Sequence, residues 1–260
     1  MWAIYDSLIN GIPENLMVDE LMNGNGISYV RSGNGSGIAG FRDYQTRAPM
    51  FTKNLLGEPL QRVATAVKSW NFVEASLGLA AINAYYNNPE TARGNGVNFS
   101  DTRWVEDRMN NPFIMSQKEI KGKRVTVIGH FPYLENLFEP VCDLSIISWN
   151  PLEGDYPFSA IEYLLPECDY VYITSASITD KTLPRILELS KNARRVTIVG
   201  PSTPLTPVLF NYGISELSGL IIKDNALAFR IISGAEKVKI YTAGQKVSFH
   251  KSENNSAIHT

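Results

Sequence analysis

The chain has 260 residues, 44% of them hydrophobic and 19% charged, with a formal net charge of -2. That is the composition of a globular protein, with enough chain for one large domain or two ordinary ones. The near-balance of charge gives no electrostatic reason to expect nucleic acid or an anionic membrane as partner.

The opening segment MWAIYDSLINGIPEN lacks a basic stretch and carries Asp6, which argues against a signal peptide, and a cytoplasmic location is expected. The longest apolar runs, VTVIG and LSIISW, are far too short to span a bilayer. The two cysteines, Cys142 and Cys168, do not have zinc-site spacing and read as buried reduced thiols.

Next in order, ISYVRSGNGSGIAGFRDY (Ile27 to Tyr44) holds two short alternating apolar stretches around a glycine-rich centre, the pattern of a β-hairpin. EPLQRVATAVKSW and NFVEASLGLAAINAYYN read as helices. In the second, Asn71 and Glu74 have the spacing of an N-cap and its capping-box carboxylate. The small residues Ala75, Ser76, Gly78, Ala80, Ala81 and Ala84 let a neighbouring element approach closely. Strands followed by helices make the first part an α+β unit. The polar stretch 88–120 reads as one long loop containing the domain boundary. The expected division is 1–105, 112–250 and a flexible tail over 251–260.

From Lys121 the grammar becomes strand, turn, helix, repeated. RVTVIG, LSIISW, YVYITS, RVTIVG and SGLIIKD are candidate strands; PYLENLF, FSAIEYLL, TLPRILELSKN and TPVLFNYG are the helices between them. NALAFRIISGA and a last strand at QKVSFHK follow. Near-continuous β-branched strands alternating with helices imply a mostly parallel sheet covered on both faces, a Rossmann-like three-layer domain. The whole chain is therefore expected to be α/β.

One literal G-x-G-x-x-G occurs, from Gly35 to Gly40, but no helix opens behind it, so its glycines read as turn glycines in a hairpin. The true first strand-to-helix turn is Gly129-His130-Phe131-Pro132. It keeps only the first fingerprint glycine, and large side chains stand where a pyrophosphate would approach. The second strand ends in Trp149-Asn150-Pro151 in place of a ribose-binding acid, with Glu153 and Asp155 near but misplaced. NAD and FAD in the ordinary mode are not expected; S-adenosylmethionine, having no pyrophosphate, is less firmly excluded.

Ligands of open parallel sheets bind beyond the carboxyl ends of the strands. The turns due there are GHFPY, SWNPLEGD, TSASITDKT and GPSTPLTP, all rich in hydroxyls, amides, glycine and proline. Thr182 and Thr206 read as helix N-caps. His130 fits either proton transfer or metal binding, or simple packing. With three histidines and no H-x-x-H spacing, a preformed histidine-rich metal centre is not expected.

EASLGLAAINA, VTVIGHFPYLENL, ITSASITDKTL and VGPSTPL together resemble the heavy-metal-chelation family, a family of unknown function. The resemblance implies an enolase N-terminal-like domain followed by a Rossmann-like domain partly similar to methyltransferases, with a site where the two meet. The implied chemistry is condensation or hydrolysis of pterin-, flavin- or siderophore-like molecules. The resemblance makes Glu74 and Asn83 the N-terminal contributors, and His130, Thr174, Ser177, Thr179, Ser202 and Thr203 the C-terminal ones. Gly129, Phe131, Asn150 and Gly200 belong to the same turns. The roles assigned are His130 as acid/base, Glu74 as its carboxylate partner or as base, and the hydroxyls with helix amides as an anion cradle. A metal ion or metal chelate fits this resemblance. The alternative is a non-catalytic binder of a metal chelate or metabolite. The partner expected in either case is a small molecule, with a homodimer through N-terminal edge strands left open.

Overall fold

The computed structural model describes residues 2–41, 46–100 and 110–251. Two sheets organise the chain. The first is an antiparallel meander of β1 (Glu20–Gly24), β2 (Ile27–Ser32) and β3 (Gly35–Gly40). The expected hairpin is β2–β3. A third strand, β1, joins through Asn25-Gly26, both at positive φ (47° and 72°), the backbone that a two-residue hairpin turn requires. Helix α1 (Ala3–Asn10) precedes the sheet, and α2 (Leu60–Ala64) and α3 (Phe72–Tyr86) follow it.

Helix α3 is apolar on every side and almost wholly buried. Such a helix lies inside a core rather than on a surface. It sits directly on β3, where a Cβ at Gly37 would collide with the backbone of Ala80 and Ala84, and one at Gly35 with Ala84. The glycines that mimic a dinucleotide fingerprint thus allow a helix to lie against a strand.

The stretch 88–120 is not a single loop. Asn88 and Asn111 each precede a proline and cap short helices, α4 (Pro89–Gly94) and α5 (Pro112–Met115). Asparagine at the N-cap followed by proline at the first helical position is a start signal strong enough to nucleate a turn in polar sequence. Residues 101–109 of that stretch, and most of the expected tail, lie outside the described residues.

The second sheet has seven strands in the order β10-β9-β8-β7-β4-β5-β6. They are β4 (Arg124–Ile128), β5 (Asp143–Ser148), β6 (Tyr156–Pro157), β7 (Tyr170–Thr174), β8 (Arg195–Val199), β9 (Glu216–Ile222) and β10 (Gly244–His250). All pair in parallel except β10, antiparallel to β9. The chain begins at the central β4, winds outward through β5 and β6, then returns to the other side of β4 with β7, β8 and β9. This is the doubly wound order, and its switch point falls between β4 and β7. The connections carry α6 (Leu134–Phe138), α7 (Ile161–Leu164), α8 (Ala176–Thr179), α9 (Leu183–Leu189) and α10 (Asn225–Ile232). Two helices differ from expectation in detail. TPVLFNYG forms a 3-10 helix over Pro207–Tyr212, and α6 starts at Leu134, after Tyr133 in the left-handed region, not at Pro132.

The two parts share one core. A continuous apolar cluster runs from Tyr5, Leu8, Leu79 and Ile82 to Ile173, Ile178, Ile198 and Leu217. On the opposite face, Phe113, Phe138 and Tyr172 pack as tilted and edge-on pairs 5.3 to 5.5 Å apart.

Candidate active site at the carboxyl edge of the sheet

The switch point brings together the turns after β4 and β7. Gly129 has φ +101°, and a Cβ there would stand 3.0 Å from Cβ of Thr174. The first fingerprint glycine is therefore kept for close contact between these two turns. Just beyond it, the His130 imidazole is about a third exposed and lies between two carboxylates. Its Nε2 is 3.2 Å from Oε1 of Glu135, on α6, and its Nδ1 is 3.4 Å from Oδ2 of Asp155. The Asp155 side chain is buried and also accepts the Leu152 amide at 2.9 Å, so the turn after β5 fixes it in place. Both ring nitrogens thus face an acceptor, the arrangement that satisfies an imidazolium.

Glu135 and Asp155 lie at opposite edges of the ring, so the three side chains do not converge on one point. Among the described residues no group of three or more His, Cys, Asp or Glu side chains is arranged to hold a metal ion. The described residues around His130 do not fit a resident metal, and no step below passes through one.

The other residues singled out in the sequence divide into several groups. Thr174, at the end of β7, is half-buried and accepts the Ala176 amide at 3.4 Å. Ser177 and Thr179 are buried, and the Thr179 hydroxyl donates to the Ala176 carbonyl at 2.8 Å. Phe131 turns into the aromatic cluster, 5.0 Å from Phe113. Asn150 is exposed on the turn after β5.

Ser202, Thr203 and Asn83 form the seam between the two sheets. Ser202 Oγ accepts the Gly40 amide at 3.0 Å, while Asn83 Nδ2 donates to the carbonyls of Ile38 and Ser202, both at 2.9 Å. One turn along α3, Asn87 does more of the same work. It donates to Thr203 and Leu220 and accepts the Leu205 amide at 2.9 Å. Gly200, φ +141°, lies against Ser175, whose Oγ a Cβ would strike. Of the two expected N-caps, Thr206 accepts the Val208 amide at 3.3 Å, but Thr182 donates to Asp180 Oδ1 at 2.6 Å and caps nothing.

Glu74 occupies separate ground. Its amide donates to Asn71 Oδ1 as a capping box requires, but its carboxylate accepts the amides of Met50 and Phe51, each at 2.7 Å. It lines a groove of about 710 Å³ with Arg47, Phe51, Lys53, Leu55 and Val73. Among the described residues, this groove takes no side chain from the C-terminal sheet. The carboxylates beside His130 are Glu135 and Asp155, not Glu74.

Three residues passed over in the sequence stand out. Asp155 is misplaced for a ribose but correctly placed for His130. Glu135 lies in the quoted helix PYLENLF and is reached only because the turn after β4 is so short. Lys181, inside TSASITDKT, joins the two parts: its amine donates to the Ser69 carbonyl and, at 2.6 Å, to that of Thr179. It lies near the rings of Trp70 and Phe72, at 5.7 and 5.5 Å. Burial pushes the amine down to about 8, outweighing the opposite pull of Asp180 and Glu74.

Both cysteines are free and held as thiols: burial pushes Cys142 up to about 11 and raises Cys168 as well. Among the described residues, no helix is long and apolar enough to cross a membrane.

Comparison with known proteins agrees with the fold. Two family models, both described as "Putative heavy-metal chelation", match residues 5–86 (DUF4213) and 111–251 (DUF364). A crystal structure of a DUF364 protein of unknown function from Desulfitobacterium hafniense is 65% identical, with a TM-score of 0.90 over 96% of this chain and 99% of that one. A second, from Pyrococcus horikoshii, is 20% identical with a TM-score of 0.74 over 95% and 98%, and speaks for the fold alone. An uncharacterised protein of Methanocaldococcus jannaschii is 26% identical over 200 residues, 74% of this chain and 71% of its own length. The chain belongs to the DUF364 heavy-metal-chelation family.

Proposed function

We propose that the protein is a small-molecule enzyme of chelator metabolism. In this reading it condenses or hydrolyses a pterin-, flavin- or siderophore-type compound, with His130 as acid/base. The observation that carries this reading is the imidazole at the switch point, its Nδ1 against buried Asp155 and its Nε2 against the more accessible Glu135. A histidine with one nitrogen anchored and the other facing a displaceable acceptor is arranged to pass a proton at Nε2. Asp155 holds the ring orientation, and Glu135 receives or returns the proton. Thr174 and Asn150, on the flanking turns, offer hydrogen bonds to the substrate. Glu74 and Asn83 contribute from the N-terminal side by shaping the Arg47–Phe51 segment and the seam.

A screen for turnover of pterin, flavin and hydroxamate or catecholate compounds tests this. His130→Ala should lower kcat by roughly 100-fold or more, the usual contribution of general acid–base catalysis. Asp155→Asn should lower it less and alter the pH profile. Turnover by His130→Ala at the wild-type rate would overturn the assignment.

A second reading, a non-catalytic binder, is favoured by the groove beside Glu74, where Arg47 and Lys53 flank apolar walls. Calorimetry with ferric citrate should then show saturable binding without product, weakened in the Arg47→Ala, Lys53→Ala double variant. Heat indistinguishable from dilution would count against it.

A further inference from the structure

Between Arg124 and Lys181 the chain contains no lysine or arginine, yet nine aspartates and glutamates. That span supplies β4 to β7 and every turn at the switch point. Three of its acids, Glu153, Asp155 and Glu135, lie in the turn after β5 or at the head of α6, around the carboxyl ends of β4 and β5. The arginines that answer the span's acids pair elsewhere. Arg185 takes Glu162, on α7; Arg124 and Arg194 take Glu167 and Asp169.

In the same turn Trp149 follows directly on β5. Its ring stacks on Phe158 with centroids 4.0 Å apart and planes 7° from parallel. Phe158 supports one face of the indole, and the residue is 47% exposed. The pairing of Ile147 with Tyr156, and the Gly129 amide bonded to the Ile147 carbonyl at 2.8 Å, hold this turn level with His130. Asp155 belongs to it as well, so the indole and the imidazole rise from adjoining turns sharing one buried carboxylate.

We propose that Trp149, backed by Phe158, is the stacking platform of the ligand site, and that its ligand is a planar nitrogen heterocycle, neutral or cationic and without a phosphate. The proposal rests on the reading of this edge as a small-molecule site and adds the ring position and the charge of the ligand. A rigid aromatic pair with an open face lengthens its stack by one ring, and base-on-aromatic stacking is worth on the order of 1–3 kcal/mol. A phosphate on that ring would meet the carboxylates of Glu135, Glu153 and Asp155, and the chain from Val125 to Asp180 brings no lysine or arginine to answer it. The platform stands where the second strand of a dinucleotide fold presents its ribose-binding acid.

Riboflavin and its 5′-phosphate differ by one phosphate, and the fluorescence of either falls when its ring stacks on tryptophan. Titrated with the full chain, riboflavin should be quenched saturably. Trp149→Ala should weaken that binding at least about tenfold, while Trp149→Phe, which keeps a stacking ring, should stay within about threefold of wild type. The phosphate ester should bind at least about tenfold more weakly than riboflavin at low salt, a gap that narrows as salt screens the carboxylates. Binding unchanged in Trp149→Ala, a phosphate ester that binds as well as riboflavin, or no binding of either, would each overturn the proposal. A proper platform beside a histidine dispensable for turnover would sink the catalytic reading and leave this one standing.

Discussion

At the scale of single residues, the chemistry depends on partners distant in sequence. Lys181 is the sharpest case. Its amine is held near 8 in the folded chain against an ordinary value of 10.5. Between these values the unfolded chain binds more protons than the folded one, so this residue makes stability rise with pH across roughly 8 to 10.5. Below pH 8 the folded state carries a half-buried charge on this lysine that the unfolded state leaves in water. Lys181→Met removes that dependence. Denaturant titrations from pH 7 to 10 should show wild type gaining on the variant by on the order of 1–3 kcal/mol, an amount reduced by partial solvent access. Parallel curves would show that the lysine is solvated. His130 was legible as a candidate because histidine is rare in the chain and follows the first strand. Its carboxylate partners were not, since Asp155 reaches it only after β5 and its turn have folded back beside β4.

At the scale of elements, local pattern was a good guide wherever an element buries a regular face. Five long parallel strands, the capped helix α3 and the last strand were all readable from β-branched runs and cap residues. What escaped were short elements held by their neighbours: the two-residue strand β6, the meander strand β1 and the helices α4 and α5. The G-x-G-x-x-G stretch shows why a motif needs its context. Gly37 exists for the backbone of α3, so Gly37→Ala should force helix and strand apart at a cost of about 2 kcal/mol or more. Thermal unfolding should fall by roughly 5 °C or more, without change in any Rossmann-side ligand affinity beyond that loss. A variant that melts like wild type would mean that α3 does not lie against β3 as described.

At the scale of the whole molecule, the two parts behave as one body because polar side chains of α3 complete the backbone hydrogen bonds of the other part. Asn87 satisfies two carbonyls and one amide across the seam. Asn87→Ala strands those buried groups, and each is worth about 1–3 kcal/mol when left unpaired. The expected result is a loss of about 2–4 kcal/mol and, in calorimetry, a broadened or split transition as the parts uncouple. A single sharp transition at the wild-type temperature would refute this. By itself the sequence determined the elements, the parallel sheet and the turns where a ligand edge must form, because hydrophobic period and cap chemistry are local. The tertiary structure decided which side chains meet. Asn83, Ser202 and Thr203 went to the seam, Glu74 to the Met50–Phe51 amides, and His130 to Asp155 and Glu135. Strand order, and so the pairing of turns from distant parts of the chain, is set by how whole faces bury against one another.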